Sequence, residues 1–277
     1  MLTSTRNKTT SSLQPEQPWF VLSASQKYSL TGSVSQSISQ FYSFKVASNA
    51  VKTFAIPDGC VDILFDCNDR KPTARVCGTP LKAKEVELIP EHDYFGVRFT
   101  PGMLPGFQNL TAEELTDKEF LLTDIFPNGQ HALEHIASSA LFSERIFLFN
   151  HYFKPDKVHR PSATTRLIID EIIRHRGCCR MDKLERLTGY TCRTIQRLFR
   201  QDTGMSPKAF CRIIRFQYAL NTINKASEIT FSELALDLGF SDQSHFLRDF
   251  KNLVSTTPLE YQRRITIASY KERICYH

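Results

Sequence analysis

The hydrophobic pattern of this chain changes character near its middle. Between about Trp19 and Phe107, short apolar runs bounded by turn residues are typical of strands. The best example is the run 61–66, where Val61, Ile63 and Phe65 alternate with Asp62, Leu64 and Asp66. A second candidate strand covers 94–99 and stops before a Pro-Gly pair. The first part of the chain is therefore expected to be β-rich.

From residue 111 onward the period becomes helical. Leu133, Ile136, Ala137 and Leu141 follow the spacing of one helix face within the segment 111–153. The following stretch, 154–161, combines two prolines with several charges and is typical of a linker. The pattern after the linker stays helical.

The helical C-terminal part contains an internal repeat. Four positions recur 51 residues later, namely Leu187, Phe199, Pro207 and Phe210 as Leu238, Phe250, Pro258 and Tyr261. A glycine precedes the second helix of each copy, at Gly189 and Gly239. Two short helices joined through a tight glycine turn form a helix-turn-helix, so the repeat predicts two such units.

Capping signals support these helix boundaries. Thr230 and Glu233 have the spacing of a capping box, and Gly239 is expected to end that helix in the left-handed conformation. Ser241 is expected to cap the next helix, as Thr191 is expected to do in the first copy.

The second helix of each unit has a polar outer face. If Ile195, Leu198 and Phe199 are buried, the outward side chains of the first copy are Arg193, Thr194, Gln196, Arg197 and Arg200. In the second copy they are Gln243, Ser244, His245, Arg248 and Lys251. Arg, Gln and Ser or Thr side chains can read base edges in the major groove. A single polar helix face is usually only solvated, but two duplicated units with such faces favour DNA binding.

The charge distribution agrees with this hypothesis. The net charge is +6, but residues 158–277 contain 20 Lys+Arg against 12 Asp+Glu, whereas residues 1–157 contain 15 against 17. A basic C-terminal part indicates that this part meets a polyanion. It is expected to fold alone and to bind DNA.

Residues 162–264 resemble the DNA-binding domain of the AraC/XylS family of bacterial transcription regulators. The resemblance is carried by the stretches Gly189–Pro207, Gly239–Lys251 and Thr257–Tyr261. It implies that a long central helix holds two recognition helices, at 193–200 and 242–251, about one DNA turn apart. It also implies double-stranded promoter DNA and RNA polymerase as partners, and activation of transcription. Ser255 departs from the family's usual glycine, which is costly if the backbone there needs a positive φ.

The N-terminal half resembles a sensor region found in some of these regulators, through residues 56–65, Gly78, 96–102 and Leu115–Asp117. This resemblance implies a cupin-like β-barrel followed by dimerising helices, and hence an α+β chain with an all-α tandem helix-turn-helix domain. It also implies a homodimer and a small-molecule effector. Arg98, in an otherwise apolar strand, is the candidate effector-binding residue, suited to an anion. A surface position, or pairing with an internal carboxylate, remains an alternative for Arg98.

These observations divide the chain into six segments. They are a disordered leader 1–17, a β-rich sensor-like domain 18–110, a helical dimerisation segment 111–153, a linker 154–161, the DNA-binding domain 162–266 and a tail 267–277. Neither a secretory signal nor a membrane-length apolar run is evident, so a cytoplasmic location is expected. No cofactor and no metal site are predicted.

Two other functions are alternatives to an effector-controlled regulator. The first is a constitutive regulator whose N-terminal domain only dimerises, which the sequence does not distinguish from a sensor. The second is a DNA-repair methyltransferase with an AraC-like domain, which needs four zinc-bound thiolates. The N-terminal half has only Cys60, Cys67 and Cys77 and no C-x-x-C motif, so an enzyme is not expected.

Overall fold

The computed structural model describes residues 24–49, 53–106, 110–154, 158–225, 229–267 and 270–277. The expected leader 1–17 lies outside these ranges, and the linker 154–161 is described only in part. Within the described ranges, no helix is both long and apolar enough to span a bilayer.

Nine strands are described, seven of them in the first 100 residues. In chain order they are β1 (Ser25–Gly32), β2 (Ile38–Val46), β3 (Thr53–Ala55), β4 (Asp62–Asp66), β5 (Thr73–Cys77), β6 (Lys84–Val86), β7 (Asp93–Phe99), β8 (Glu119–Leu121) and β9 (Ile274–Tyr276). The strands predicted at 61–66 and 94–99 correspond to β4 and β7.

Seven strands form one sheet in the order β8-β5-β4-β7-β2-β1-β9, and β3 pairs with β6 in a separate two-stranded sheet. The large sheet is antiparallel except where β9 joins β1 in parallel. Because β8 and β9 occupy opposite edges, the described strands do not close into the expected barrel. The C-terminal strand β9 pairs with β1 and forms the sheet edge opposite β8. In a closed barrel these two edges would have to pair with each other.

Four helices follow the first strands: α1 (Ala112–Leu115), α2 (Leu122–Ile125), α3 (Gly129–Ser138) and α4 (Phe142–Phe153). Leu133, Ile136 and Phe149 pack on one face of the sheet against Phe65 and Phe95. Leu141, which the helical spacing placed in this apolar stripe, is instead 63% exposed. The reason is that α3 ends before Leu141, which holds the N-cap position of α4 in an extended conformation.

Eight helices are described in the C-terminal part. They are α5 (Ala163–Arg174), α6 (Met181–Thr188), α7 (Cys192–Thr203), α8 (Pro207–Lys225), α9 (Phe231–Asp237), α10 (Gln243–Val254), α11 (Pro258–Ile267) and α12 (Tyr270–Arg273). The pairs α6–α7 and α9–α10 are the two predicted helix-turn-helix units. Central helix α8 lies between them, with Phe210 and Ile214 in the core of the first unit and Leu220 and Ile223 in the core of the second.

The two halves share a hydrophobic core. Tyr28 and Phe44 of the large sheet belong to the same buried cluster as Phe216 of α8 and Phe250 of α10. The segment 267–277, expected to be a tail, instead supplies α12 and the edge strand β9. The β-rich half is therefore packed against the second helix-turn-helix unit rather than simply tethered to it.

Candidate DNA-binding surface and adjoining cavity

The first recognition helix, α7, begins and ends as the sequence predicts. The side chain of Thr191 accepts a hydrogen bond from the Thr194 backbone N–H, so the predicted cap is present. Gly189 before the helix and Gly204 after it both have positive φ, of 73° and 75°. With both ends fixed, Ile195 faces the core.

This burial decides which side chains of α7 face solvent. Ile195 and Phe199 are buried and Leu198 is half-buried. Four of the five predicted contact residues are exposed, namely Arg193, Gln196, Arg197 and Arg200, and Thr194 is half-buried. The helix therefore presents three guanidinium groups and one amide on one side, a set able to bind both phosphates and base edges.

The second recognition helix, α10, begins differently from the prediction. Asp242, not Ser241, is the N-cap, and its Oδ1 accepts a 2.7 Å hydrogen bond from the His245 backbone N–H. Ser241 Oγ instead donates to Asp242 Oδ2, at 3.1 Å. A carboxylate accepts more strongly than a hydroxyl and also favours the positive end of the helix dipole, which accounts for the shift by one residue.

The outer face of α10 matches the predicted set. Gln243, Ser244, Arg248 and Lys251 are exposed, and Phe246 and Phe250 are buried. His245 is half-buried because its ring lies edge-on to Phe240, with centroids 5.3 Å apart. Of the ten side chains predicted to contact DNA, eight are thus exposed and two, Thr194 and His245, are half-buried.

The capping box predicted for α9 is not present in the described structure. Thr230 holds the N-cap position, but its side chain makes no capping hydrogen bond. Reciprocal Thr–Glu boxes occur elsewhere, between Thr111 and Glu114 before α1 and between Thr257 and Glu260 before α11. The Thr-x-x-Glu spacing correctly predicted Thr230 as the N-cap residue of α9. The spacing does not determine whether the two side chains accept hydrogen bonds from the backbone N–H groups.

The structure also corrects the alignment of the repeat. Leu187 was paired with Leu238, yet Leu187 is 39% exposed and Leu238 is 3% exposed. Leu184 and Leu234 are both buried and lie 50 residues apart, as do the turn glycines Gly189 and Gly239. The offset is 50 before the turn and 51 after it, because the second copy has one more residue between the turn and its helix.

Two arginines of α8, which the sequence did not single out, connect it with the second unit. Arg212 makes a two-fold hydrogen bond with Asp249 of α10, at 2.9 and 3.1 Å. The Arg215 guanidinium lies 4.9 Å from the centre of the Phe240 ring, and its Nη2 donates to the Gly177 carbonyl before α6. These contacts help to fix the angle between the two recognition helices.

The end of α7 lies against the β-rich half. Arg200 forms an ion pair with Glu113 of α1, at 3.5 Å. A Cβ atom on Gly204 would lie 2.3 Å from the Ala112 carbonyl oxygen, so only glycine permits this approach. The first recognition helix therefore touches α1 directly.

A cavity of about 110 Å³ lies on the face of the large sheet that turns toward α8. The small β3–β6 sheet forms one wall, through Phe54 and Val86, and the rings of Tyr42, Phe44 and Tyr94 line it from the large sheet. Arg98, the candidate effector-binding residue, also lines the cavity. The sequence placed Arg98 in a strand but could not indicate which side chains surround it.

Arg98 is only 3% exposed and is held by two carboxylates. Its Nε and Nη2 donate to Asp62 at 2.9 and 2.7 Å, and its Nη1 lies 3.3 Å from Asp58 Oδ2. The pairing follows from strand register, since Asp62 of β4 is directly opposite Arg98 of β7. Tyr42 also donates to Asp62, at 2.7 Å. The alternative of an arginine paired with internal carboxylates therefore describes Arg98 in this structure.

Burial raises the pKa of Asp58 to about 6, and the nearby charge of Asp62 adds to this effect. Arg98 acts in the opposite direction and favours the ionised carboxylate. The group of one arginine and two aspartates therefore has an excess of negative charge that the protein does not fully compensate.

The turn that carries Asp58 also touches α8. The Pro57 carbonyl accepts a 2.7 Å hydrogen bond from Gln217 Nε2, within the protein interior. Gly59 has φ 79°, and a Cβ atom there would lie 2.7 Å from the Phe210 ring. One side of this turn thus faces the cavity and the other faces the helix that holds both helix-turn-helix units.

The three N-terminal cysteines lie in the sheet and its adjoining turn. Burial raises the pKa of the Cys67 thiol to about 12, and those of Cys60 and Cys77 are also raised by burial. Across the described ranges, no three His, Cys, Asp or Glu side chains are grouped so that they could hold a metal ion. These thiols are set up to stay protonated rather than to act as thiolates.

Two family models match the chain. A model described as a helix-turn-helix domain matches residues 184–264, and a domain of unknown function, DUF6597, matches residues 30–120. The first range contains both recognition helices, and the second contains most of the large sheet and the cavity.

Known proteins resemble part of this chain. An uncharacterized HTH-type transcriptional regulator of Haemophilus influenzae is 32% identical over 71 residues, which cover 26% of this chain and 24% of that protein. The HTH-type transcriptional activator RhaR of Yersinia pseudotuberculosis is 36% identical over 72 residues, with the same two coverages. The match thus spans about a quarter of the length of these curated relatives. A solved structure from Rhodopseudomonas palustris, named a "probable AraC family transcriptional regulator", is 32% identical, covers 37% of this chain and 97% of its own, and has a TM-score of 0.35.

Proposed function

We propose that the chain is a sequence-specific DNA-binding transcription regulator, because residues 184–264 match a helix-turn-helix domain and part of the chain is similar to HTH-type transcriptional regulators. The observation that carries the proposal is the pair of capped recognition helices, α7 and α10, each with a buried apolar face and an exposed polar one. A helix of this diameter fits the major groove.

The proposal assigns a role to each exposed face. The side chains that reach base edges or phosphates are Arg193, Thr194, Gln196, Arg197, Arg200, Gln243, Ser244, His245, Arg248 and Lys251. Arg197 and Arg248 lie near the middle of their helices, so they are the best candidates for guanine recognition. Arg200 has to leave Glu113 to reach DNA.

The experiment starts from a randomised duplex library, selected on the purified full-length chain, which yields a preferred site. Fluorescence anisotropy then compares the wild type with Arg197→Ala and Arg248→Ala at several salt concentrations. A base-contacting arginine should cost about 1–3 kcal/mol of binding free energy and relax specificity at one position. A phosphate-contacting arginine should instead weaken binding to every sequence and reduce the salt slope by about one.

Arg70→Ala is the matched control, because Arg70 is an exposed arginine of the β4–β5 turn, outside the helical part. It should bind DNA as the wild type does. Recovery of no preferred site from the library, or equal binding by all three variants and the wild type, would contradict the proposal.

We further propose that the cavity is the effector site, with Arg98 in its wall, and that the protein acts in the cytoplasm as a homodimer with RNA polymerase. The contact of the cavity turn with α8 supports the effector proposal, because a ligand can shift an arrangement only through contacts that differ between two states. A constitutive regulator is the alternative, and it predicts that no small molecule changes DNA affinity. The protonated state of the buried thiols does not favour the methyltransferase alternative.

A further inference from the structure

The charge of the cavity wall has the opposite sign from that expected around an anion-binding arginine. Six carboxylates line the cavity but only three cationic side chains do, a formal excess of three negative charges. Two of the carboxylates, Glu87 and Asp117, are exposed at its mouth. An entering molecule therefore meets a negative field before it reaches the interior.

The cations in the wall are already engaged. Lys84 and Arg75 both pair with Glu119, at 2.9 and 3.5 Å. Arg98 is held by Asp62 in bidentate geometry and lies 3.3 Å from Asp58. An anionic ligand would have to displace a carboxylate to reach any of these cations, and it would add a negative charge to a wall that already has an excess.

The deepest part of the wall lacks one positive charge. Arg98 pairs in bidentate geometry with the half-buried Asp62, so the charge of the buried Asp58 is not fully neutralised. Burial raises the pKa of Asp58, and the nearby charge of Asp62 adds to this effect. Burying an unpaired charge is costly, and a ligand that supplies the missing cation removes that cost.

The aromatic part of the wall also suits a cation. Phe44 stacks with Tyr42 and Tyr94, with ring centroids 6.4 and 5.3 Å apart, and all three rings line the cavity. Aromatic faces attract cations. The Arg98 guanidinium already lies 5.6 Å from the centre of the Tyr42 ring, so this wall accommodates a positive group.

We propose that this cavity binds a small organic cation bearing an ammonium group, which pairs with Asp58 and packs against the aromatic rings. Since an enclosed cavity of roughly 150 Å³ takes up benzene, the volume of about 110 Å³ limits the enclosed part of the ligand to its ammonium end and a few carbon atoms, and a single ring attached to them would extend into the open mouth. This inference rests on the proposed role of the cavity as effector site, and it names the chemical class of the effector.

The experiment compares three molecules of one shape and different charge: benzylammonium, benzyl alcohol and benzoate. Thermal unfolding of the full-length chain is followed with each of them, and isothermal titration gives the Kd. Benzylammonium should raise the Tm and the other two should not. Asp58→Asn keeps the acceptor for the Cys60 backbone N–H but removes the excess charge, so it should weaken benzylammonium binding by more than about tenfold.

Two further variants keep the test independent of folding effects at Asp58. Asp117→Asn changes an exposed carboxylate of the mouth and should weaken binding by a smaller factor. Asp69→Asn changes an exposed aspartate outside the cavity lining and should bind as the wild type does. Stabilisation by benzoate instead of benzylammonium, equal binding by all variants, or no binding of any of the three molecules would overturn the inference. DNA affinity measured on the same protein preparations without an added molecule separates this outcome from failure of the regulator proposal, because retained sequence-specific binding would leave that proposal standing whatever the cavity binds.

Discussion

At the residue scale, the C-terminal ends of α7 and α10 can be compared directly. Gly204 and Ser255 both hold the C-cap position in the left-handed conformation, with φ of 75° and 61°. A side chain in this region is strained, typically by about 1 kcal/mol relative to glycine. The two positions differ in their surroundings, since Gly204 is pressed against Ala112 and Ser255 is exposed.

Opposite substitutions at these positions should have opposite effects on the free energy of unfolding. Ser255→Gly should stabilise the protein by up to about 1 kcal/mol because it relieves backbone strain. Gly204→Ser should destabilise it by more than that amount, because its Cβ would collide with the Ala112 carbonyl as well as strain the backbone. Urea denaturation measures the free energy of unfolding of both variants. If neither variant differs from the wild type, backbone strain at these C-caps is unimportant.

Asp58 provides a pH-dependent prediction. Its pKa is raised to about 6, so the folded protein holds this proton more tightly than the unfolded chain does. The resulting stabilisation is present below about pH 4 and is lost as the pH rises through about 6. Asp58→Asn should therefore raise the Tm relative to wild type more at pH 8 than at pH 5. The titratable groups facing Asp58 are Arg98 of β7, Asp62 of β4, Tyr28 of β1 and Cys60 of its own turn. A Tm difference that is the same at both pH values would contradict this prediction.

At the scale of single elements, features that depend on residues close together in the sequence could be predicted from the hydrophobic pattern. The recognition helices depend on spacing within a dozen residues, so Ile195, Phe199, Phe246 and Phe250 could be assigned to the core from the pattern alone. Adjacent capping candidates compete locally, and the pattern did not separate Ser241 from Asp242.

The sequence pattern could not predict contacts between elements that are far apart along the chain. The pairing of Arg98 with Asp62 requires the register of β4 against β7. The pairing of β1 with β9 joins opposite ends of the sequence, so the pattern predicted a tail at 267–277. The closed barrel was implied by the resemblance to a sensor region, not by the pattern. The Arg212–Asp249 contact likewise depends on how α8 crosses α10.

The contact between α8 and α10 predicts how the two recognition helices cooperate. Arg212→Ala should weaken binding to the complete DNA site while changing stability by less than about 1 kcal/mol, because the ion pair is partly exposed. Asp249→Ala should have a similar effect, and the double variant should be no weaker than either single one. Anisotropy with the selected site measures the affinities, and fully additive losses would mean that each residue acts separately.

At the scale of the whole molecule, the shared core changes the expectation that residues 158–277 fold alone. Phe216 and Phe250 pack against Tyr28 and Phe44 of the large sheet. Removing the N-terminal half would expose this surface to water. The second helix-turn-helix unit should then be the less stable one, since its core is the one that continues into the sheet.

A fragment of residues 158–277 should therefore unfold at a lower temperature than the full chain and bind a hydrophobic dye such as ANS. Its first unit should still contact DNA, because α7 packs on the separate cluster that contains Phe199 and Phe210. Differential scanning calorimetry and dye fluorescence measure these properties. A fragment as stable as the full chain, with no dye binding, would show that the halves are energetically independent.

The short strand β9 covers β1 at one edge of the large sheet. It joins β1 in parallel, with the Thr31 hydroxyl donating to the His277 carbonyl oxygen 246 positions away. Closing so long a loop is slow compared with forming local helices, so in refolding β1 should remain an open sheet edge after its neighbours have formed. Open edges pair with other chains. The yield of refolded monomer should therefore fall as protein concentration rises, and it should fall more steeply if β9 is removed.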